Sequence, residues 1–164
     1  MSKNLFIAGT GPRSGKSAVT LGLMELLTRN VKKVLFFRPL IDADHSAGER
    51  DNTINLIKSQ YHLGTKYEEM YAYTMTEANQ LIAMGKNAEL HEGILSKYNA
   101  LAEQADFVLC EGLEMGGAVT SFDFDINVEI SNNLGCPVLL VAGAKMKGVD
   151  ELIRSIKVYH ESLD

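Results

Sequence analysis

The sequence is poor in several features that would mark a specialised class. It has two cysteines, Cys110 and Cys136, too few for a disulfide framework. Each lies in an apolar, strand-like segment, so both read as reduced thiols of a core. No apolar run approaches the roughly 20 residues that cross a bilayer. The N-terminus carries one Lys, a few apolar residues and then a Gly-rich turn, which does not read as a signal peptide. Positive charge is also scarce. The formal net charge is −5, and the basic clusters are only Lys32-Lys33 and Lys145-Met146-Lys147. Nucleic acid and anionic membranes call for clustered Lys and Arg, so neither is an expected partner. The chain reads as cytoplasmic. It shows no internal repeat, low-complexity tract or linker.

What is present is an ordinary globular balance: 164 residues, 46% hydrophobic and 23% charged. That length predicts one domain with a sizeable core. Four short apolar runs predict strands, at Asn4–Ala8, Val34–Phe37, Phe107–Cys110 and Val138–Ala142. The second is expected to stop at Pro39, and Ile41–Glu49 reads as a loop. Apolar spacings of three and four predict helices over Ser17–Thr28, Asp51–Tyr61, Glu77–Met84, Glu89–Gln104, Asp125–Leu134 and Asp150–Leu163. In the first, Val19, Leu21, Leu23, Met24, Leu26 and Leu27 form a broad apolar face. Gly135 is a natural stop for the fifth. Strands buried on both faces read as continuous Val/Leu/Phe runs, so the pattern predicts a parallel sheet flanked by helices in an α/β layered fold. The sequence ends on a helix, where a βα series would often continue with another strand. The expectation is a fragment of a longer polypeptide, without the last strand or strands.

The stretch "GTGPRSGKS", Gly9 to Ser17, carries the clearest chemistry. The strict phosphate-loop pattern G-x-x-x-x-G-K-[ST] would put Gly at position 10; here Thr10 stands there, between Gly9 and Gly11. Small residues at 9, 11, 14 and 15 still let backbone N–H groups turn inward as an anion nest. A helix starting near Lys16 aims its positive end at the same point. Gly9, Thr10, Gly11, Pro12, Arg13, Ser14, Gly15, Lys16 and Ser17 are therefore the candidate phosphate cradle. Lys16 would reach phosphate oxygens and the Ser17 hydroxyl would ligate magnesium. The alternative is a tight strand-to-helix turn with Ser17 as the cap.

Three further residues sit at the ends of predicted strands or helices. Magnesium on a nucleotide takes one or two protein carboxylates, and ligands in such sheets bind at the carboxyl ends of strands. Glu111 ends "DFVLCEG" and is a candidate metal carboxylate or a solvated strand-end acid. Asp51 opens a helix and is a candidate metal ligand or an N-cap. Arg38, in "FFRP", would face phosphate or an acidic substrate, or pair with a local acid. His45, His62, His91 and His160 lack metal-ligand spacing. Met75, Met84 and Tyr98 read as packing residues. Asp123 in "SFDFDIN" is explained as well by helix entry as by a cleft.

These motifs resemble those of known proteins. "GTGPRSGKS" is similar to the variant loop of dethiobiotin synthetase and the cobyrinic acid amide synthases, "FFRPL" to their F-K-P segment with Arg38 for Lys, "RDNTINL" to their Asp-bearing helix start, and "VLCEGLEMGG" to their V-E-G-x-x-G-G strand end. Across nearly the whole chain the sequence resembles the N-terminal domain of long-form phosphate acetyltransferases, through "ERDNTINLIKSQY", "TMTEANQLIAMGKNAELHEGILSKYNAL", "ADFVLCEGLEMG" and "FDFDINVEISNNLGCPVLLVAGA". The resemblance implies a three-layer P-loop fold of the dethiobiotin synthetase type. It implies ATP or another nucleotide with Mg2+, the metal held by Ser17, Asp51 and Glu111. It implies a regulatory domain, homo-oligomeric in the full protein and joined to a C-terminal acetyltransferase domain that interconverts acetyl-CoA plus phosphate with acetyl phosphate plus CoA. No residue here is assigned catalysis. The other readings are an ATP-dependent carboxylate ligase and a P-loop domain with an assembly role only.

Overall fold

Two periodicities build the molecule. Successive strand side chains point to opposite faces, and helices lay one stripe over each face. The computed structural model describes residues 3–11, 14–43, 47–113, 121–143 and 148–163; the side chains of 121–125, 155, 159, 162 and 163 fall outside the description. The strands are β1 (Lys3–Gly9), β2 (Val34–Ile41), β3 (Tyr71–Thr74), β4 (Phe107–Glu111) and β5 (Val138–Val141). The helices are α1 (Lys16–Asn30), α2 (Asn52–Gln60), α3 (Met75–Ala83), α4 (Asn87–Ala102), α5 (Ser121–Asn133) and α6 (Val149–Leu163), with a 3-10 turn at Tyr67–Glu69.

The five strands form one sheet in the order β3-β2-β4-β1-β5, every neighbouring pair parallel. Alternate residues feed two cores. Phe6, Phe37 and Cys110 pack with Ala78 of α3, Ile94 and Tyr98 of α4 and Ile130 of α5. Ile7, Phe36 and Leu109 pack with Met24 of α1 and Ile54 and Ile57 of α2. This is a parallel sheet flanked by helices, as the apolar runs predict, in the three-layer P-loop NTPase-like arrangement that the resemblance implies. The chain leaves β1 towards β2 and returns to place β4 beside β1. α1 covers one face and α5 the other. β1 and β4 therefore flank a topological switch point, where such sheets bind ligands.

Several expectations need correction. There are five strands among the described residues, not four: "YAYT" forms β3, and a short alternation of Tyr with small residues gives no apolar run to read. β2 does not stop at Pro39 but continues to Ile41. The reason is hydrogen-bond direction. Arg38 and Leu40 face β3, with the Arg38 N–H donating to the Met70 carbonyl at 2.8 Å, while pairing with β4 ends at Phe37. Pro39 thus has no ladder bond to lose. α3 begins before Glu77, because Thr74 and Glu77 form a capping box: Thr74 Oγ1 accepts from the Glu77 N–H at 3.2 Å and Glu77 accepts from the Thr74 N–H at 2.7 Å. α5 begins at Ser121 rather than Asp125.

At single positions, Leu26 is 57% exposed and Met84 69% exposed, so neither is a packing residue; Met84 lies at the C-cap of α3, beyond its apolar stripe. Met75 and Tyr98 are buried. Cys110 and Cys136 are free and buried, as expected, and burial pushes the Cys110 thiol well above its ordinary value. Residues His45, Lys145, Met146 and Lys147 and the Asp123 side chain lie outside the described set.

The cores make a direct stability prediction. Phe36 is fully buried, so Phe36→Ala lowers the unfolding free energy by about 3–5 kcal/mol. Exposed Leu26→Ala changes it by no more than about 0.5 kcal/mol. Urea unfolding followed by circular dichroism measures both.

Candidate phosphate-loop site

Strand alternation decides where the charged side chains go. Phe36 and Leu109 face α1 and α2. Arg38 and Glu111, each two residues further on, therefore project from the same face, Glu111 at the carboxyl end of β4 and Arg38 in β2 just past its pairing with β4. Above them lies α1, which buries Lys16, Thr20 and Met24. Those positions recur every four residues and share one helix face. The apolar end of that stripe joins the core, and its polar end meets Glu111.

The result is a buried network of alternating charge. Lys16 is 2% exposed and Glu111 1%. Lys16 Nζ donates to Glu111 Oε1 at 3.2 Å and to the Gly112 carbonyl at 2.5 Å. Thr20 Oγ1 donates to Glu111 Oε2. Arg38 Nη2 stands 3.7 Å from Glu111 Oε1, and Arg38 Nη1 pairs with Asp51 Oδ2. Asp51 Oδ1 accepts from the Ile54 N–H at 2.9 Å, so Asp51 is the N-cap of α2. The Asp51 N–H donates to the Tyr67 hydroxyl at 2.7 Å, which fixes the start of that helix. Burial, foremost, pushes the Tyr67 phenol above its ordinary value. Two cations thus balance two carboxylates, and the solvated strand-end reading of Glu111 is excluded by its burial.

The loop before α1 leaves the start of that helix without a side-chain cap. Gly15 is the N-cap of α1, at φ 93° and ψ 7°, left-handed values that favour glycine. It supplies no capping side chain, and the first turn of α1 holds no acid. α2 and α3, by contrast, are capped by Asp51 and Thr74. The positive end of α1 is therefore not compensated by a capping side chain. Gly9 lies against the loop so closely that an added Cβ would come within 2.6 Å of Ser14 Oγ. That hydroxyl is buried and without a hydrogen-bond partner. The Thr10 N–H donates to the Val141 carbonyl at 3.0 Å, anchoring the loop to β5. Ser17 is exposed in the first turn; the cap is Gly15, not Ser17. Gly11 and Ser14 close a turn through a 3.3 Å backbone bond. Pro12 and Arg13 lie outside the described residues.

The structure therefore brings together Lys16, Arg38, Asp51 and Glu111, with Ser17 at the mouth of the loop. Reading the sequence missed Thr20 and Tyr67. Thr20 was detectable, since it lies one turn after Lys16 on a helix face; nothing in the sequence marks Tyr67. The expected magnesium set fits poorly. Each oxygen of Asp51 and Glu111 already meets a donor or a cation.

A family model described as an AAA domain, AAA_26, matches residues 3–162. The chain is 47% identical over 164 residues to a phosphate acetyltransferase of Nitratidesulfovibrio vulgaris and 34% identical to one of Synechocystis, and it spans 23% of the length of each. The match is to the N-terminal part of those proteins. It is 30% identical to the ATP-dependent dethiobiotin synthetase of Clostridium kluyveri, covering 99% of this chain and 70% of that protein. The kinase domain of the Escherichia coli tyrosine kinase ETK superposes with a TM-score of 0.55 at 16% identity, over 98% of this chain and 63% of that one. That last likeness concerns the fold alone.

Loss of charge inside the network is costly, because it strands a buried partner. Glu111→Gln lowers the unfolding free energy by about 3–5 kcal/mol. Glu25→Gln, which breaks the exposed Glu25–Arg29 pair, changes it by less than about 1 kcal/mol. Denaturant titration of both variants checks the contrast.

Proposed function

The chain belongs to the AAA domain family AAA_26, and on that premise we propose that it is a regulatory domain that binds a nucleotide or another phosphate-bearing anion. One observation carries the reading: α1 begins at a glycine with no capping side chain and no first-turn acid, directly over buried Lys16. An anion in the loop would complete that helix end and draw the Lys16 ammonium, which here rests on Glu111 and the Gly112 carbonyl. The ATP-dependent relative supports a nucleotide as the ligand.

The domain is proposed to act within a phosphate acetyltransferase, as the 47% identity supports. Acetyl transfer from acetyl-CoA to phosphate would lie in the C-terminal part of that polypeptide, so no residue described here is assigned to it. Regulation works by linkage: a ligand that prefers one arrangement of this domain shifts the attached catalytic part by its differential affinity. Contact between copies in the full-length protein belongs to the same proposal. The similarity to dethiobiotin synthetase supports a second reading, an ATP-dependent carboxylate ligase. There Arg38 would hold the substrate carboxylate, and the isolated chain would release ADP in the presence of a diamino acid.

Lys16→Ala distinguishes a working loop from a structural turn. Calorimetry on this variant shows ADP, ATP and pyrophosphate binding weakened about 10- to 100-fold, the loss of one charged hydrogen bond. The effector response of the full-length acetyltransferase moves to correspondingly higher concentration. An unchanged affinity and an unchanged response contradict the reading.

A further inference from the structure

We propose that Arg38 is the built-in cation of this site and takes the place of a divalent metal, so that the loop binds its phosphate anion uncomplexed by magnesium. The inference rests on the reading above that the loop binds such an anion. Among the described residues Asp51 and Glu111 are the carboxylates expected to hold magnesium, and Arg38 stands between them. Its Nη1 pairs with Asp51 Oδ2 and its Nη2 lies 3.7 Å from Glu111 Oε1. A guanidinium spans two carboxylates with separate donors, which a single ammonium does not. Arg38 is itself buried, and its backbone N–H is tied to the Met70 carbonyl.

Magnesium fits this arrangement badly. It dehydrates reluctantly and keeps several waters, whereas Asp51 is 6% and Glu111 1% exposed. The remaining carboxylate oxygens are engaged as well: Asp51 Oδ1 caps α2, and Glu111 Oε2 accepts from Thr20. A metal would have to displace Arg38 and leave a guanidinium buried without its counter-ions, an expensive state. Arg38 also keeps a donor in hand. Its Nε is buried and has no hydrogen-bond partner, which suits it to a ligand oxygen. The chemical class selected is a metal-free polyphosphate anion, such as pyrophosphate or a nucleoside diphosphate.

Two measurements on the whole chain test this. Electron paramagnetic resonance of added Mn2+ shows no tight site in the wild-type protein. Arg38→Gln, which removes the cation shared by Asp51 and Glu111 and leaves only Lys16 beside Glu111, gains Mn2+ affinity at least about tenfold. Equal Mn2+ binding by the two proteins overturns the proposal. Calorimetry needs no variant, so it stands even where Arg38→Gln does not fold. Wild-type protein binds pyrophosphate with an affinity that excess EDTA changes by less than about threefold relative to excess magnesium; binding seen only with magnesium overturns the proposal. No pyrophosphate or nucleotide binding under either condition defeats the proposed function instead, and a tight wild-type Mn2+ site then also defeats the role given to Arg38.

Discussion

A carboxylate at the end of a central strand, out of reach of water, is the constraint on which the site depends. Glu111 cannot stay charged there without partners, and each partner fixes a different element. Lys16 and Thr20 hold the first turns of α1 over β4. Arg38 brings in β2 and, through Asp51, the start of α2. The phosphate loop is thereby clamped at its far end by charge, while Thr10 ties its near end to β5. The same network places Lys16 within reach of the loop yet holds it elsewhere. An incoming anion must compete with Glu111 and the Gly112 carbonyl for that ammonium.

Under the proposed function, that competition would be the route by which the domain passes on occupancy. The Gly112 carbonyl precedes Leu113, whose N–H and carbonyl both bond the side-chain amide of Asn127 at 3.0 Å. Asn127 lies on α5, on the opposite face of the sheet from α1. Lys16 therefore touches, through one peptide segment, a helix on the other layer. A switch needs an element with two arrangements that the ligand favours unequally; the Lys16–Gly112 contact is where an anion would act on this one.

How much of this could be read in the sequence follows from the range of the interactions involved. The apolar runs of β2 and β4 were legible because those strands are buried on both faces, and β1 and β5, half-buried in part or throughout, were legible from their apolar composition. The loop was legible because its glycines and Lys16 are neighbours in the chain. β3 was not, since "YAYT" is short and its burial is decided by α4 and β2 rather than by its own composition. Pro39 misled because the direction of a missing ladder bond is a tertiary fact. The four candidate polar residues were each named, but their pairing was hidden. Arg38 and Asp51 are 13 positions apart and Lys16 and Glu111 are 95 apart, and no local pattern says that Arg38 would satisfy both carboxylates. The resemblance implied Ser17, Asp51 and Glu111 as magnesium ligands but assigned no partner to Arg38, whose guanidinium lies against both carboxylates.

The most direct test of the account is a crystal structure of the protein with pyrophosphate bound. The account predicts the anion within the loop of residues 9–17, over the first turn of α1, with Lys16 Nζ withdrawn from the Gly112 carbonyl and placed on a phosphate oxygen. An anion bound elsewhere, with Lys16 still resting on Glu111 and Gly112, would contradict it.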